Sequence, residues 1–516
     1  MSTSPLLAEP VQNPGAAGPP RQLVGQVDLR TRRTADGSVL VTAAVGAVAF
    51  DAAARAGVAS LGMAAGIMVV VGAVVATRRI ASPQAIAVLV LAPVVGAFLA
   101  LRSSPWVVGP DVLAVAGLLG LAASLGGGGS LMDLSVPRAV GRVFVTGAHL
   151  LLAPGYALGA LAGRRAPRSW APAIRGLGLA APVVVVTGLL LRSADAVFAS
   201  FFRIPTDVGD LAAHGLLLLT GAWLVTGLLR GADAVQEEPA PARRPGLGHT
   251  EARFVLGGLV AVLGGFAVAQ VVATTVFGDR VLRDAGLTFA DHARSGFFQL
   301  LAVAALTLVV LLSVRACAEH DSALASLGVA AVALTLVVVG VALHRLGAYR
   351  DAYGLTMLRL ASTAFAWWIG AVFLVVGARL AGAGRGRHWL LGVAGGMALA
   401  ALLIWNLANP EAIVVRHDIE RAAAGKPVDL TYLAGLSDDA VPSLVEGLSR
   451  LDPNTASAAR AALCAGSPAT MLEPGPSPFA IDARAARRRP SGALGWNAGK
   501  VRAGAAIRDL CASGSA

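Results

Sequence analysis

The side chains best suited to chemistry lie between Asp279 and Gln299. Asp279, Arg280, Arg283 and Asp284 flank a helix start, and Asp291, His292 and Arg294 stand just before an apolar run. Thr288 is placed to cap that helix, with Asp291 at its third position, close to a capping box. Asp291 and Arg294 are three apart on one helical face, and Ser295 follows four after Asp291. An acid, an imidazole and a guanidinium gathered at a membrane surface could bind a charged ligand or relay protons. The simpler reading is an interfacial helix, capped and with solvated charges.

Four further polar groups fall inside apolar runs: Asp51, Gln270, Arg359 and Asn406. Arg359 is the fifth residue of a run that begins at Leu355. A charge there either faces a partner or cavity or snorkels to the lipid heads. Gln270 and Asn406 suit hydrogen bonds between helices better than ligand binding. His149 alone indicates nothing. The sequence contains no Walker-type loop, no His-Glu-x-x-His and no Gly-x-Ser-x-Gly, and no Cys/His cluster has metal spacing. No catalytic residue, metal or cofactor is therefore expected, and a hydrolase or an ATP-driven pump is unsupported.

The elements that must position these groups are long apolar segments. Val255–Val276 carries only Gln270 and two threonines as polar side chains, and Leu300–Leu312 is similar. About 20 such residues at 1.5 Å rise span a hydrocarbon core roughly 30 Å thick. The chain is 56% hydrophobic and 14% charged, against about 25% charged residues in a soluble domain. The composition therefore predicts an all-α polytopic membrane protein. Its formal charge of +12 comes almost wholly from arginines at the ends of apolar runs, where they set topology and meet lipid heads. The partner implied is the bilayer and not nucleic acid.

The candidate spans are 38–54, 57–77, 84–101, 106–125, 143–162, 174–191, 211–229, 254–276, 295–314, 322–343, 355–378 and 389–407. Asp51 makes the first marginal. The fifth is the weakest: it follows Arg138 and Arg142, contains His149 and Pro154, and could lie along the surface as an amphipathic helix. Twelve crossings put 16 Lys/Arg on the side of the N-terminal arm and 14 on the other; eleven give 20 and 10. The positive-inside rule thus favours eleven, while hydropathy favours twelve.

Outside the bundle of residues 37–408, residues 1–36 read as a disordered basic arm. Residues 409–465 read as a small helical appendage, and 466–516 as a mostly disordered basic tail with a final helix after Trp496. Cys317 reads as a packed thiol. Cys464 and Cys511 can pair only where the tail meets an oxidising compartment.

Three stretches carry a family resemblance. The first is Gln270 with Val276-Phe277-Gly278 and Gly286 through Leu300, which includes Phe289-Ala290-Asp291-His292. The second is Tyr353-Gly354-Leu355-Thr356-Met357-Leu358-Arg359-Leu360. The third is Asn409-Pro410-Glu411-Ala412 with Asp429-Leu430-Thr431-Tyr432-Leu433 and Leu436-Ser437-Asp438-Asp439-Ala440-Val441-Pro442. Over roughly residues 250–450 the chain resembles the bacterial membrane-protein families numbered 4153 and 4173 in the domain-of-unknown-function series. Members often show Tyr-Ala-Glu-Tyr where this chain has Phe-Ala-Asp-His, so a role for those phenols does not carry over. The resemblance implies a multi-pass membrane protein and no activity. The Ala- and Arg-rich composition suggests an actinobacterial source and the plasma membrane. A transporter or permease is one functional reading. The alternative is a sensor or scaffold that meets a protein partner through its C-terminal tail. A membrane enzyme ranks third.

Overall fold

The computed structural model describes residues 29–126, 128, 136–162, 187, 191, 206–235, 248–273, 297–317, 321–383, 389–464 and 492–512. Its bundle helices are α1 (Gly37–Ala56), α2 (Leu61–Ala76), α3 (Pro83–Gly96), α4 (Phe98–Leu101), α5 (Pro105–Gly126), α6 (Val136–Leu151), α7 (Ala153–Ala162), α8 (Thr206–Ala232), α9 (His249–Ala273), α10 (Phe297–Cys317), α11 (Ser322–Tyr353), α12 (Met357–Leu380) and α13 (Leu390–Ala408). After Asn409 come α14 (Pro410–Ala423), α15 (Leu430–Ala434), α16 (Val441–Gly447), α17 (Pro453–Cys464) and α18 (Ala498–Ala512). Among the described residues the only β pairing is a single bridge, Thr31 to Ala234. The chain is an all-α polytopic bundle. Among the described residues eight helices are long and apolar enough to cross a membrane, with α3 and α4 counted as one, and the stretches Leu61–Ala76 and Gln299–Arg315 are apolar as well.

Helix starts are set by side-chain caps. Asp36 accepts from the Ser38 and Val39 amides, Ser60 from Met63, Thr356 from Arg359 and Asn409 from Ala412. Each cap satisfies amides that an apolar helix cannot satisfy itself. Asp51 does not end α1. It is buried, with Oδ2 at 3.1 Å from Arg55 Nη2 and Oδ1 at 3.1 Å from His214 Nδ1.

Contacts give each helix a direction. The start of α1 meets the end of α8 through the Arg32 amide and the Asp233 carbonyl, 2.7 Å apart, and Asp51 near its end meets His214 near the start of α8. The two helices are therefore antiparallel. Glycine lets them touch backbone to backbone: a Cβ on Gly221 would lie 2.6 Å from Phe50 Cβ and 2.7 Å from the Gly46 carbonyl oxygen. Helices α9 and α11 run parallel, joined by Arg253–Asp321 near their starts and by Arg345 Nη2 donating to Gln270 Oε1 at 3.2 Å near their ends. Helix α13 runs against α5, with Trp405 Nε1 donating to the Trp106 carbonyl at 3.1 Å.

Segment 136–162 turns back on itself. Arg142 Nη1 donates to the Ser124 carbonyl at the end of α5, and Tyr156 reaches Asp233 at the end of α8. Both partners sit at the same end of the bundle, so the expected span 143–162 is two helices broken at Leu152 and held at one end. The expected span 174–191 lies outside the described residues apart from Leu191 and Thr187.

One apolar core joins α1, α2, α3, α5 and α8, and another joins α9 to α12. A third core unites the C-terminal helices with Leu355 and Met357 at the start of α12. The C-terminal helices thus form a cap packed on one end of the bundle. The Cys464–Cys511 disulfide ties α17 to α18 within it.

Candidate functional site: the junction of cap and bundle

The cap is joined to the bundle through buried carboxylates. The short loop between α4 and α5 presents the Ser103 and Ser104 amides, which both donate to Asp439 Oδ2, at 2.7 and 2.9 Å. These amides lie at and just before the N-cap of α5, and an anion is favoured at that end of a helix. Ser104 Oγ donates to Glu411 Oε1 at 2.7 Å. The other oxygen of Glu411 accepts from the Ser437 amide and hydroxyl, at 3.0 and 2.5 Å. Asn409 Nδ2 donates to the Asp439 carbonyl at 3.0 Å. From α18, Asn497 Nδ2 donates to the Leu99 and Arg102 carbonyls at 3.1 and 2.9 Å, and Gly499 packs on Asp439.

Glu411 is 1% exposed. Burial holds its carboxyl above the usual carboxylate range and outweighs the hydrogen bonds from Ser437 and Ser104, and the Asp439 charge adds to the rise. Burial also lowers the Arg102 guanidinium, against the opposing pull of Asp439. Arg102 donates through Nε to the Asn406 carbonyl at 2.8 Å and through Nη2 to the Leu407 carbonyl at 3.2 Å, so it covers the open end of α13. Beside the junction a cavity of about 90 Å³ is lined by Asn409, Asp438, Asp439, Ser443, Gly499 and Arg502.

A second set of contacts ties the same cap to the turn between α11 and α12. Asp418 Oδ1 accepts from the Leu355 amide at 2.8 Å, and the Tyr432 hydroxyl accepts from the Met357 amide at 2.7 Å. Arg421 donates to the Asp351 and Ala352 carbonyls at 2.5 and 3.2 Å. Burial raises both Asp418 and Tyr432. Gly354 has φ +83, and a Cβ there would lie 3.0 Å from Asp418 Oδ1. Glycine is required at this turn both by conformation and by space.

The expected site residues separate. Asp291, His292 and Arg294 lie outside the described residues. Arg359 sits in the first turn of α12, where Nη1 donates to the Gly354 and Tyr353 carbonyls at 2.6 and 3.3 Å and the guanidinium lies 4.2 Å from the Tyr349 ring centroid. Gln270 pairs with Arg345 across α9 and α11. Asn406 Nδ2 donates to Asp111 Oδ1 at 2.7 Å. Asp51 belongs to the α1–α8 contact. None of these four is brought together with another. At the far end of the bundle Arg79 is buried between Asp233, Asp36 and Tyr156, and Arg230 reaches His149 and the Leu29 carbonyl. Among the described residues no three His, Cys, Asp or Glu side chains are placed to hold a metal ion.

Sequence reasoning gave no role to Asp111, Ser103, Ser104, Asp418 or Arg421. Glu411, Ser437, Asp439 and Tyr432 stood in the stretches that carried the resemblance. Their shared meeting place was the missing signal: the second and third stretches converge at this junction. The chain matches the family described as Domain of unknown function (DUF4153) over residues 39–447. That match reaches well upstream of residue 250 and includes Glu411 and Asp439. No curated protein and no solved structure matches the chain.

Proposed function

This chain belongs to the DUF4153 family of unknown function, and from that premise we propose that it is a membrane scaffold or sensor acting through its C-terminal cap. The observation that carries the reading is the buried Ser103–Ser104–Glu411–Asp439 junction. A flexible tail would not need two carboxylates hydrogen-bonded to the loop between bundle helices. Burying them is costly unless each is paired, and the pairing makes the cap's position depend on that of α4, α5 and α13. What the cap binds is thereby linked to the helices in the bilayer.

The reading places the protein in a bacterial plasma membrane with the N-terminal arm in the cytoplasm and the cap outside. The antiparallel α1 and α8 support eleven crossings, the arrangement that gives 20 Lys/Arg on the arm's side and 10 on the cap's side. The Cys464–Cys511 pairing supports the same side for the cap.

The test uses two variants in cells lacking the gene. Glu411→Ala with Asp439→Ala should insert at normal abundance, expose the cap to protease and fail to restore the deletion phenotype. A chain ending after Ala408 that restores the phenotype in full would overturn the proposal, because the bundle would then act alone, as a permease can.

A further inference from the structure

Buried aspartates of the bundle are compensated in different ways. Asp233 meets Arg79, and Asp51 meets Arg55 and His214. Asp111, on α5, meets no cation among the described residues. Asp111 and Asn406 are each 0% exposed. Asn406 Nδ2 donates to Asp111 Oδ1 at 2.7 Å, yet Asp111 Oδ2 and Asn406 Oδ1 both have no hydrogen-bond partner among the described residues. Turning the amide over does not help. Asn406 Nδ2 also donates to the Leu402 carbonyl at 3.1 Å, and a turned amide would set two acceptors against each other there. Arg102 does not neutralise the acid, because its Nε and Nη2 are directed to the Asn406 and Leu407 carbonyls.

Two fully buried acceptors on two planar groups already joined by one hydrogen bond lack a single hydrogen. We infer that Asp111 is a proton-binding site: the proton sits on Oδ2 and is donated to Asn406 Oδ1, so that acid and amide pair as a neutral dimer with two opposed hydrogen bonds. One proton satisfies both orphaned acceptors. It also removes a charge that would otherwise be buried with one neutral donor, an arrangement folded proteins avoid. The pair joins α5 to the last turn of α13, from which Asn409 leads directly into the cap. Proton occupancy therefore fixes the helix end that carries the cap. The inference goes beyond the scaffold reading and stands whatever the cap does.

Infrared spectroscopy of the purified full-length protein tests it, with side-chain ¹³C-aspartate labelling to separate aspartic from glutamic acid bands. The expected result is a protonated-aspartate carbonyl band at neutral pH that disappears from the Asp111→Asn spectrum. In Asn406→Leu the band should persist and move to higher wavenumber, since its hydrogen-bond acceptor is lost. Absence of a protonated-aspartate band from the wild type at neutral pH would overturn the assignment. So would its full retention in Asp111→Asn, or an unmoved band in Asn406→Leu.

Discussion

At the residue scale, Glu411 bears most on how firmly the cap is held. Its folded carboxyl is held above the ordinary value of 4.5 because burial outweighs its hydrogen bonds. The native state therefore binds this proton more tightly than the unfolded chain does. The stability this contributes is fully present below the unfolded value and is lost as pH rises through the raised folded value. Thermal denaturation of the detergent-extracted protein, read through the cap, should show falling stability over that interval. Glu411→Gln should flatten the fall, because a glutamine keeps the shape and has no proton to lose. An unchanged pH profile in Glu411→Gln would mean that another group sets it. Other residues were hard to assign from sequence for the same physical reason. Asp111 stands alone in an apolar run and Asp439 beside Asp438 in a polar one, and only long-range contact shows that one meets an amide and the other two amides of a distant loop.

At the element scale, helix identity was legible because apolar length is local. The caps Asp36, Ser60 and Asn409 were not read, and α2 begins at Leu61 and not at residue 57. Helix contacts were legible only in part. Of the small-residue spacings Gly62/Gly66, Gly159/Gly163 and Gly392/Gly396, the first does mark a close approach, with Cβ atoms on Gly62 and Gly66 falling 2.6 Å from Ala56 Cβ and 3.0 Å from Ala53 Cβ of α1, whereas a Cβ on Gly159 would meet nothing within 4 Å. The backbone-to-backbone crossing of Gly46 and Gly221 joins residues far apart in sequence and linked only by packing. Gly221→Leu should therefore force α1 from α8 and destabilise the extracted protein, by about 1–3 kcal/mol if the helices can shift and by more if they cannot. Gly159→Leu should be close to neutral in the same assay. Equal effects of the two substitutions would contradict the packing described.

At the scale of the whole molecule, the two ends of the bundle differ. One gathers the N-terminal segment, Arg79, Asp233 and the broken helices α6 and α7; the other carries the cap. The all-α membrane class was legible because hydropathy acts along the chain. The number of crossings was not, because segment 143–162 is apolar enough to span and yet both Arg142 and Tyr156 return to one end. Arginine counts favoured eleven crossings for a reason independent of packing, the cost of moving cations across the bilayer. The most direct measurement is labelling of intact cells with a membrane-impermeant maleimide, before and after a reductant, in a Cys317→Ala background. Eleven crossings and a disulfide-bonded outer cap predict no labelling at first, followed by labelling of Cys464 and Cys511 once the bond is reduced. Labelling that requires permeabilised cells would place the cap in the cytoplasm and contradict the account.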